Sequence, residues 1–395
     1  MLVTRVLGDC PGCGGKNRFG NVSVLGDHVL RGCMSCKYST TVWLPEIRKK
    51  IVYLDQFFFS SAFRGGEQRF VDAARRIRHV SNLQLLVIPF SSIHEDETHQ
   101  WRGFGGKNKE DLMEFIKATS SGHEFEPAYE VERSQIIRAF QAFLAGGSAE
   151  IERKERDAIE GNVHEWDDYF RIDVGVYFKD IELIRALKRQ SVENLLGIFD
   201  RWRQSTNTFE QDVALEIRAA GKNYIDSYLE FAARIARGDS AALFNSPIMS
   251  KVVESMLHCL PKETPLQEGL KEVEHFFASE HFAQIPYQWL SARMFAKLND
   301  MIRHGAFNDR ESAQQRLSGF YYDVKHVATY APYCDAFVMD QAMAALVADR
   351  RVGLEDRYAV KVFSLNNWDE LFTWLDALES EMTAEHKAGL SAAYP

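Results

Sequence analysis

Two sets of residues in this chain have the types and spacing to hold metal ions. The first is Cys10-Pro11-Gly12-Cys13, followed by Gly14-Gly15, together with Cys33-Met34-Ser35-Cys36. Two residues between thiols let one tight turn present both sulfurs to a single ion, and two such turns make the tetrahedral thiolate site that zinc favours. Two redox dithiols or two disulfides are the competing readings; the spacing and a reducing compartment favour zinc. Four protein thiolates leave no open coordination position, so this zinc is expected to be structural.

The second set is acidic and dispersed. Asp55 follows the apolar run Ile51-Val52-Tyr53-Leu54, and Asp340 follows Ala336-Phe337-Val338-Met339. Glu97 lies in Ser91-Ser92-Ile93-His94-Glu95-Asp96-Glu97, just past the apolar run 83–89, and Asp323 opens an expected helix 320–330. In an open parallel sheet the carboxyl ends of strands line one crevice, so four acids distant in sequence can converge there. Converged carboxylates repel unless a cation sits among them, and hard oxygen donors suit magnesium or manganese. Such an ion activates a water and neutralises charge on a phosphate during in-line displacement. Of the three acids at 95–97, Glu97 is preferred because it shares a helical face with His94. An Asp after a strand is equally a helix cap, which is the blander reading of Asp55, Asp335 and Asp340 taken singly.

Positioning these residues requires strands that alternate with helices. Ile51–Leu54, 83–89, Ala336–Met339 and 358–364 read as buried strands; 70–80, 320–330, 341–350 and 368–378 read as helices. That alternation implies a parallel sheet. Between them, 110–316 is rich in helix formers, with helical spacing over 132–144, 191–202, 209–237 and 266–277. Near the N-terminus, 18–31 reads as a hairpin with a Gly26-Asp27 turn and 40–43 as a third strand. Asp167-Asp168 reads as part of a solvated face, and Phe57-Phe58-Phe59 as core.

The cysteine module resembles a zinc ribbon. The acidic pattern resembles the PIN-like nucleases: a strand ending in Asp (Val52-Tyr53-Leu54-Asp55), an acid on an early helix, an Asp opening a later helix (Asp323-Val324-Lys325-His326), and a strand ending in Asp (Phe337-Val338-Met339-Asp340). The resemblance covers roughly 50–105 and 317–380. It implies an α/β fold with a PIN-like domain split into 50–109 and 317–395; the helix-rich stretch 110–316, which the resemblance does not cover, reads as a helical insertion, and 1–46 as the zinc ribbon. It also implies a metal-dependent endonuclease acting on RNA or single-stranded nucleic acid, in a toxin or defence setting. Asp55, Glu97, Asp323 and Asp340 become ligands of the catalytic magnesium or manganese, with Asp335 as a further candidate. Lys107, Lys109, His94 and His326 become candidate substrate contacts, and Arg64, Arg69, Arg75, Arg76 and Arg78 a basic cluster after the first strand. Arg18, Arg31 and Lys37 could reach a phosphate from the ribbon. The rival reading is a binding module that keeps the fold without catalysis; a third is a scaffold whose helical middle forms homo-oligomers.

Composition bounds these readings. The chain has 395 residues, 46% hydrophobic and 26% charged, which supports a folded core of two or three units. A net charge of −9 argues against nonspecific coating of nucleic acid over the whole surface. Six cysteines are too few for a disulfide scaffold. The absence of an apolar leader or a membrane-length apolar run leads to the expectation of a cytoplasmic protein with no membrane contact.

Overall fold

The computed structural model describes residues 1–167, 190, 192–239, 246–309, 311, 313–314, 317 and 319–395. The expected boundary at 316, the start of the 191–202 helix and Asp168 lie outside the described residues.

The chain forms a mixed α/β fold with a parallel sheet, flanking helices and an N-terminal cysteine cluster. The N-terminal sheet is antiparallel: β1 (Arg5–Gly8), β2 (Phe19–Gly26), β3 (His28–Cys33) and β4 (Ser39–Trp43) lie in chain order. The β2–β3 hairpin turns at Gly26-Asp27, and Gly26 adopts a φ of 61°, which a glycine reaches without penalty. The expected hairpin and third strand are thus present. A fifth strand was not anticipated: β7 (Trp166–Asp167) pairs with β2, setting Leu25 opposite Asp167.

The second sheet is parallel. It contains β5 (Lys50–Leu54), β6 (Leu86–Val87), β8 (Ala336–Val338) and β9 (Lys361–Phe363), in the order β6-β5-β8-β9. β6 is shorter than the run 83–89 suggested. Leu83 ends a helix, and Gln84 takes a left-handed φ of 58°, so extended pairing begins only after that turn. β9 is likewise shorter than 358–364, because Tyr358 closes a short helix Leu354–Tyr358.

The helices used below are α1 (Gln56–Arg64), α2 (Gln68–Asn82), α3 (Ser92–His99), α4 (Lys109–Thr119), α5 (Ala128–Leu144), α6 (Phe209–Ala236), α7 (Ile248–Leu257), α8 (Leu266–Phe277), α9 (Pro286–Arg303), α10 (Phe320–Tyr330), α11 (Gln341–Val347), α12 (Trp368–Ser380) and α13 (Ala384–Ala393).

The period of two along a strand divides the core. Ile51 and Tyr53 on β5, Val87 on β6 and Phe337 on β8 face a cluster that includes Leu290, Met294, Val324, Val327 and Tyr330. Val52, Leu54, Leu86, Ala336 and Val338 face the opposite cluster, with Phe58, Ile77, Leu112, Ile116 and Leu371. The sheet is therefore covered by α1, α2, α4 and α12 on one face. On the other it is covered by α10 and α9, the latter from the helical middle. A third cluster, with Phe140, Tyr224, Val253 and Phe276, packs α5, α6, α7 and α8 together. The expected division at residue 110 falls inside α4, whose Leu112 and Ile116 pack with the sheet. No described helix is long and apolar enough to cross a membrane.

Candidate functional site

Cys10, Cys13, Cys33 and Cys36 bring one sulfur each to within 4.8 Å of the others. The Cys10–Cys36 and Cys13–Cys33 Sγ pairs are 3.7 and 3.9 Å apart. A tetrahedron of sulfurs with metal–sulfur bonds of about 2.3 Å has edges of about 3.8 Å, so the cluster is close enough to bind a metal and is compatible with structural zinc. Disulfide bonds are absent from these pairs, and all six cysteines are thiols. The Ser35 amide donates to Cys33 Sγ at 3.2 Å and pulls that thiol down to about 6. The turn needs Gly12, because a Cβ there would come within 2.9 Å of Tyr38 Cβ.

This module is anchored to the C-terminus. Asn21 Nδ2 donates to the Ala393 carbonyl and Arg31 to the Ala392 carbonyl, each at 2.9 Å. Val24, Val29, Leu44, Trp166 and Ala393 form its small core. Arg31, expected as a phosphate contact, is instead half-buried and committed to α13.

The acids lie on the other sheet. β5 pairs with β6 on one side and β8 on the other; the chain runs from β5 out to β6 and from β8 out to β9, so the topological switch point of the sheet lies at the carboxyl ends of β5 and β8. Asp55 follows β5 directly, and its amide donates to the Val338 carbonyl of β8 at 3.0 Å. Asp340 follows β8 by two residues. Each acid caps a helix: Asp55 Oδ1 accepts from the Gln56 amide at 2.7 Å, and Asp340 Oδ1 from the Ala342 and Met343 amides at 2.7 and 2.9 Å. Capping occupies Oδ1 in both; among the described residues, Oδ2 of neither accepts a hydrogen bond. Burial first, then the charges of Glu97 and Asp340, hold the Asp55 carboxyl well above its ordinary value. Glu97 therefore faces Asp55, whereas Glu95 lies 3.8 Å from Lys117 and points elsewhere.

Asp323 sits in the first turn of α10. A Cβ at Gly319 would lie 3.3 Å from its Oδ2, so the carboxylate folds back over the helix start. The adjacent Tyr322 feels the charges of Asp96 and Glu97, which puts this turn beside α3. Among the described residues, the cysteines are the one group of three or more ligand atoms within 4.8 Å. The acids are spaced more widely than that, though Glu97 and Asp340 are near enough for their charges to raise the Asp55 carboxyl.

A buried network sits under the acids. His94 Nε2 donates to the Leu54 carbonyl at 2.9 Å, and its Nδ1 accepts from the Ser91 amide at 3.0 Å. That fixes the Nε2–H tautomer, and burial pushes the ring down to about 4. The Tyr53 hydroxyl meets Ser91 Oγ at 3.1 Å and the His326 ring, and the Tyr53 ring stacks on Phe337 with centroids 4.4 Å apart. His94 and His326 are both buried, so they support the end of β5 rather than touch a substrate.

Three other expectations are corrected. Asp335 precedes β8 and so lies at the amino edge of the sheet, away from Asp55 and Asp340. Its oxygens bind Lys50 Nζ at 2.7 Å and the Ile51 amide at 2.9 Å, which leaves it no place as a ligand. Lys107 Nζ donates to the Phe63 carbonyl at 2.7 Å and lies 4.3 Å from the Phe63 ring centroid, closing the end of α1. Arg76 pairs with Asp376 and Glu379, Arg75 with Asp72, and Arg69 with Glu67. Lys109 starts α4, with Nζ 3.8 Å from Glu110.

One residue at the crevice escaped the sequence reading. Gln56 follows Asp55; its Nε2 donates to Thr98 Oγ1 at 3.0 Å, while its Oε1 is buried with no hydrogen-bond partner. A buried, unsatisfied carbonyl costs about 1–3 kcal/mol, so it marks a place where a missing donor or cation belongs. Like the Oδ2 atoms of Asp55 and Asp340, it is an oxygen near the carboxyl edge of the sheet that accepts no hydrogen bond. Its signal in sequence was only its position after Asp55.

The chain is thus a mixed α/β protein with a parallel sheet, acids beyond the carboxyl edge of that sheet, and a separate cluster of four cysteines on an antiparallel sheet that is close enough to bind a metal. No family model, curated protein or solved structure matches the chain.

Proposed function

We propose that this protein is a metal-dependent nuclease of PIN-like type that hydrolyses phosphodiester bonds in RNA or single-stranded nucleic acid. The observation that carries this reading is the pairing of Asp55 and Asp340 beyond adjacent parallel strands, with Glu97 raising the Asp55 carboxyl across the crevice between them. Asp55, Glu97, Asp340 and Asp323 would hold magnesium or manganese, with Gln56 Oε1 as a neutral oxygen. The ion would supply an activated water and offset charge on the scissile phosphate. The chain's own residues do the positioning. Capping hydrogen bonds fix the Asp55 and Asp340 side chains on the starts of α1 and α11, whose amides favour an anion nearby. His94 and Tyr53 keep the end of β5 from shifting. The cysteine cluster would hold zinc and keep the ribbon folded against α13.

A binding module without catalysis is the second reading, favoured by the capping roles that Asp55 and Asp340 already fill. Incubation with end-labelled single-stranded RNA and DNA in manganese separates the two. The nuclease reading expects cleavage that falls about a hundredfold or more in both Asp55→Asn and Asp340→Asn. Cleavage retained by both variants removes the acids from the mechanism. Binding without cleavage by the wild-type protein supports the module.

A further inference from the structure

A cleft of about 440 Å³ lies between α3 and α4, lined by Thr98, His99, Lys109, Met113, Glu114 and Lys117 among others. Its volume is in the range of pockets that hold one small molecule. It shares a wall with the acidic crevice. Thr98 lines the cleft, and its Oγ1 also holds Gln56, the residue after Asp55. Glu97, the residue before Thr98, acts on Asp55 from the same helix. A group seated in the cleft is therefore one side chain away from the acids.

We propose that this cleft receives a single unstacked base of the substrate strand, placing the adjoining phosphate at the acids. This rests on the nuclease reading above. Met113 supplies a soft, polarizable apolar surface for the face of a base. The half-buried His99 ring, kept below its ordinary value by burial first and by Lys109 second, is neutral at pH 7 and adds a second flat surface. Lys109 stands at the first position of α4 with Nζ 3.8 Å from Glu110, and Glu110 and Asp111 make that helix start acidic, so the cleft takes the base while the phosphate stays outside it at the acids. Glu114 on the rim can accept from an exocyclic amino group, the edge by which carboxylates read bases. Glu95, Glu110 and Glu114 line the cleft against Lys109 and Lys117, and Glu110 and Glu95 each lie 3.8 Å from one of those lysines, so the lining suits a neutral, donor-bearing ring rather than an anion. A space between two helices admits one base and excludes a stacked pair of strands, so the substrate must be unpaired at that position.

The test uses the full chain carrying Asp55→Asn, without added divalent metal, and a single-stranded RNA bearing one 2-aminopurine. Fluorescence anisotropy gives affinity and 2-aminopurine emission reports its environment. Binding with a changed emission is expected. Filling the cleft with Met113→Trp should reverse the emission change and weaken binding about tenfold, on the scale of one lost base-stacking contact. His99→Ala, a smaller change on the cleft wall, should weaken it a fewfold and guards against misfolding of the first variant. A duplex of the same sequence should bind more weakly than the single strand. Unchanged affinity and emission in both cleft variants, equal binding of duplex, or no binding of the strand at all overturns the proposal. Loss of the nuclease reading shows differently, as wild-type protein that binds the strand through the cleft but never cleaves it in manganese.

Discussion

Asp55 and His94 have opposite effects on stability. The Asp55 carboxyl is held above its ordinary value by burial, Glu97 and Asp340. Its ionised form therefore opposes folding at neutral pH, and that opposition is relieved as pH falls through the raised value toward the ordinary one. Asp55→Asn keeps a competent helix cap, since Asn caps as well as Asp. In buffer without added divalent metal the variant should be more stable than wild type by on the order of 1 kcal/mol at pH 8, with the gain shrinking by pH 5. Urea unfolding at both pH values reads this; a variant less stable than wild type at pH 8 removes the electrostatic account. His94 runs the other way. Its ring is buried neutral and titrates at about 4 in the folded chain, against about 6.5 unfolded. Its contribution is intact above pH 6.5 and is lost as pH falls from there toward 4. At pH 5 the loss is about 2 kcal/mol. His94→Gln should flatten the fall in stability between pH 7 and 5, measured by the same unfolding curves. Gln56→Leu belongs with these: it removes an unsatisfied buried carbonyl but also the bond from Nε2 to Thr98 Oγ1, two opposing effects of about 1 kcal/mol each, so metal-free stability should stay nearly unchanged while manganese-induced stabilisation weakens.

At the scale of elements, the ribbon is held as much by the C-terminus as by its cysteines. Chelation should release one zinc per chain and loosen β1–β4. Because Trp166 lies in the ribbon's core against α13, its emission should shift to the red as the metal leaves. Zinc counting with a chromogenic chelator alongside tryptophan fluorescence checks both; full metal release with no spectral change would mean the ribbon folds on its own core. How far this was legible in the sequence differs by element. The cysteine pairs and the β2–β3 turn were plain, since both are set by neighbours a few residues apart. The pairing of β7 with β2 was not, because it joins Leu25 to Asp167 and two residues of strand leave no periodic signal. Asp335 and Asp340 flank one strand and look alike locally. Chain direction separates them: only the acid after a parallel strand reaches its carboxyl edge. Glu97 was singled out by helical spacing from His94, which β5 fixes through the Leu54 carbonyl, and its charge acts on Asp55. Gln56 carried no signal, because an unsatisfied carbonyl is visible only once its neighbours are in place.

For the whole molecule, the helical middle is a layer of the fold rather than an addition to it. Ile51, Tyr53, Val87 and Phe337 are each 1% exposed or less, and the surface they meet includes Leu290 and Met294 of α9. Fully burying one such side chain stabilises by about 2 kcal/mol, so uncovering this face removes an amount comparable with the whole net stability of a typical domain, about 5–15 kcal/mol. Ion pairs bind the same helix to the loop between α11 and β9: Lys297 lies 2.7 Å from Asp349, and Arg351 lies 2.8 Å from Asp300. These partly exposed pairs add register more than energy. A chain in which residues 192–316 are replaced by a short Gly-Ser linker keeps every candidate acid, all four ribbon cysteines, and β7 with Trp166. If the middle were an independent insertion, that chain would unfold cooperatively and bind manganese. The packing leads to the opposite expectation: the shortened protein retains its ribbon zinc, lacks a cooperative thermal transition for the parallel sheet, and binds a hydrophobic dye through the uncovered face of β5 and β8. Calorimetry and dye fluorescence decide it, and a sharp unfolding transition in the shortened chain would show that the acids need only half of the layer that now supports them.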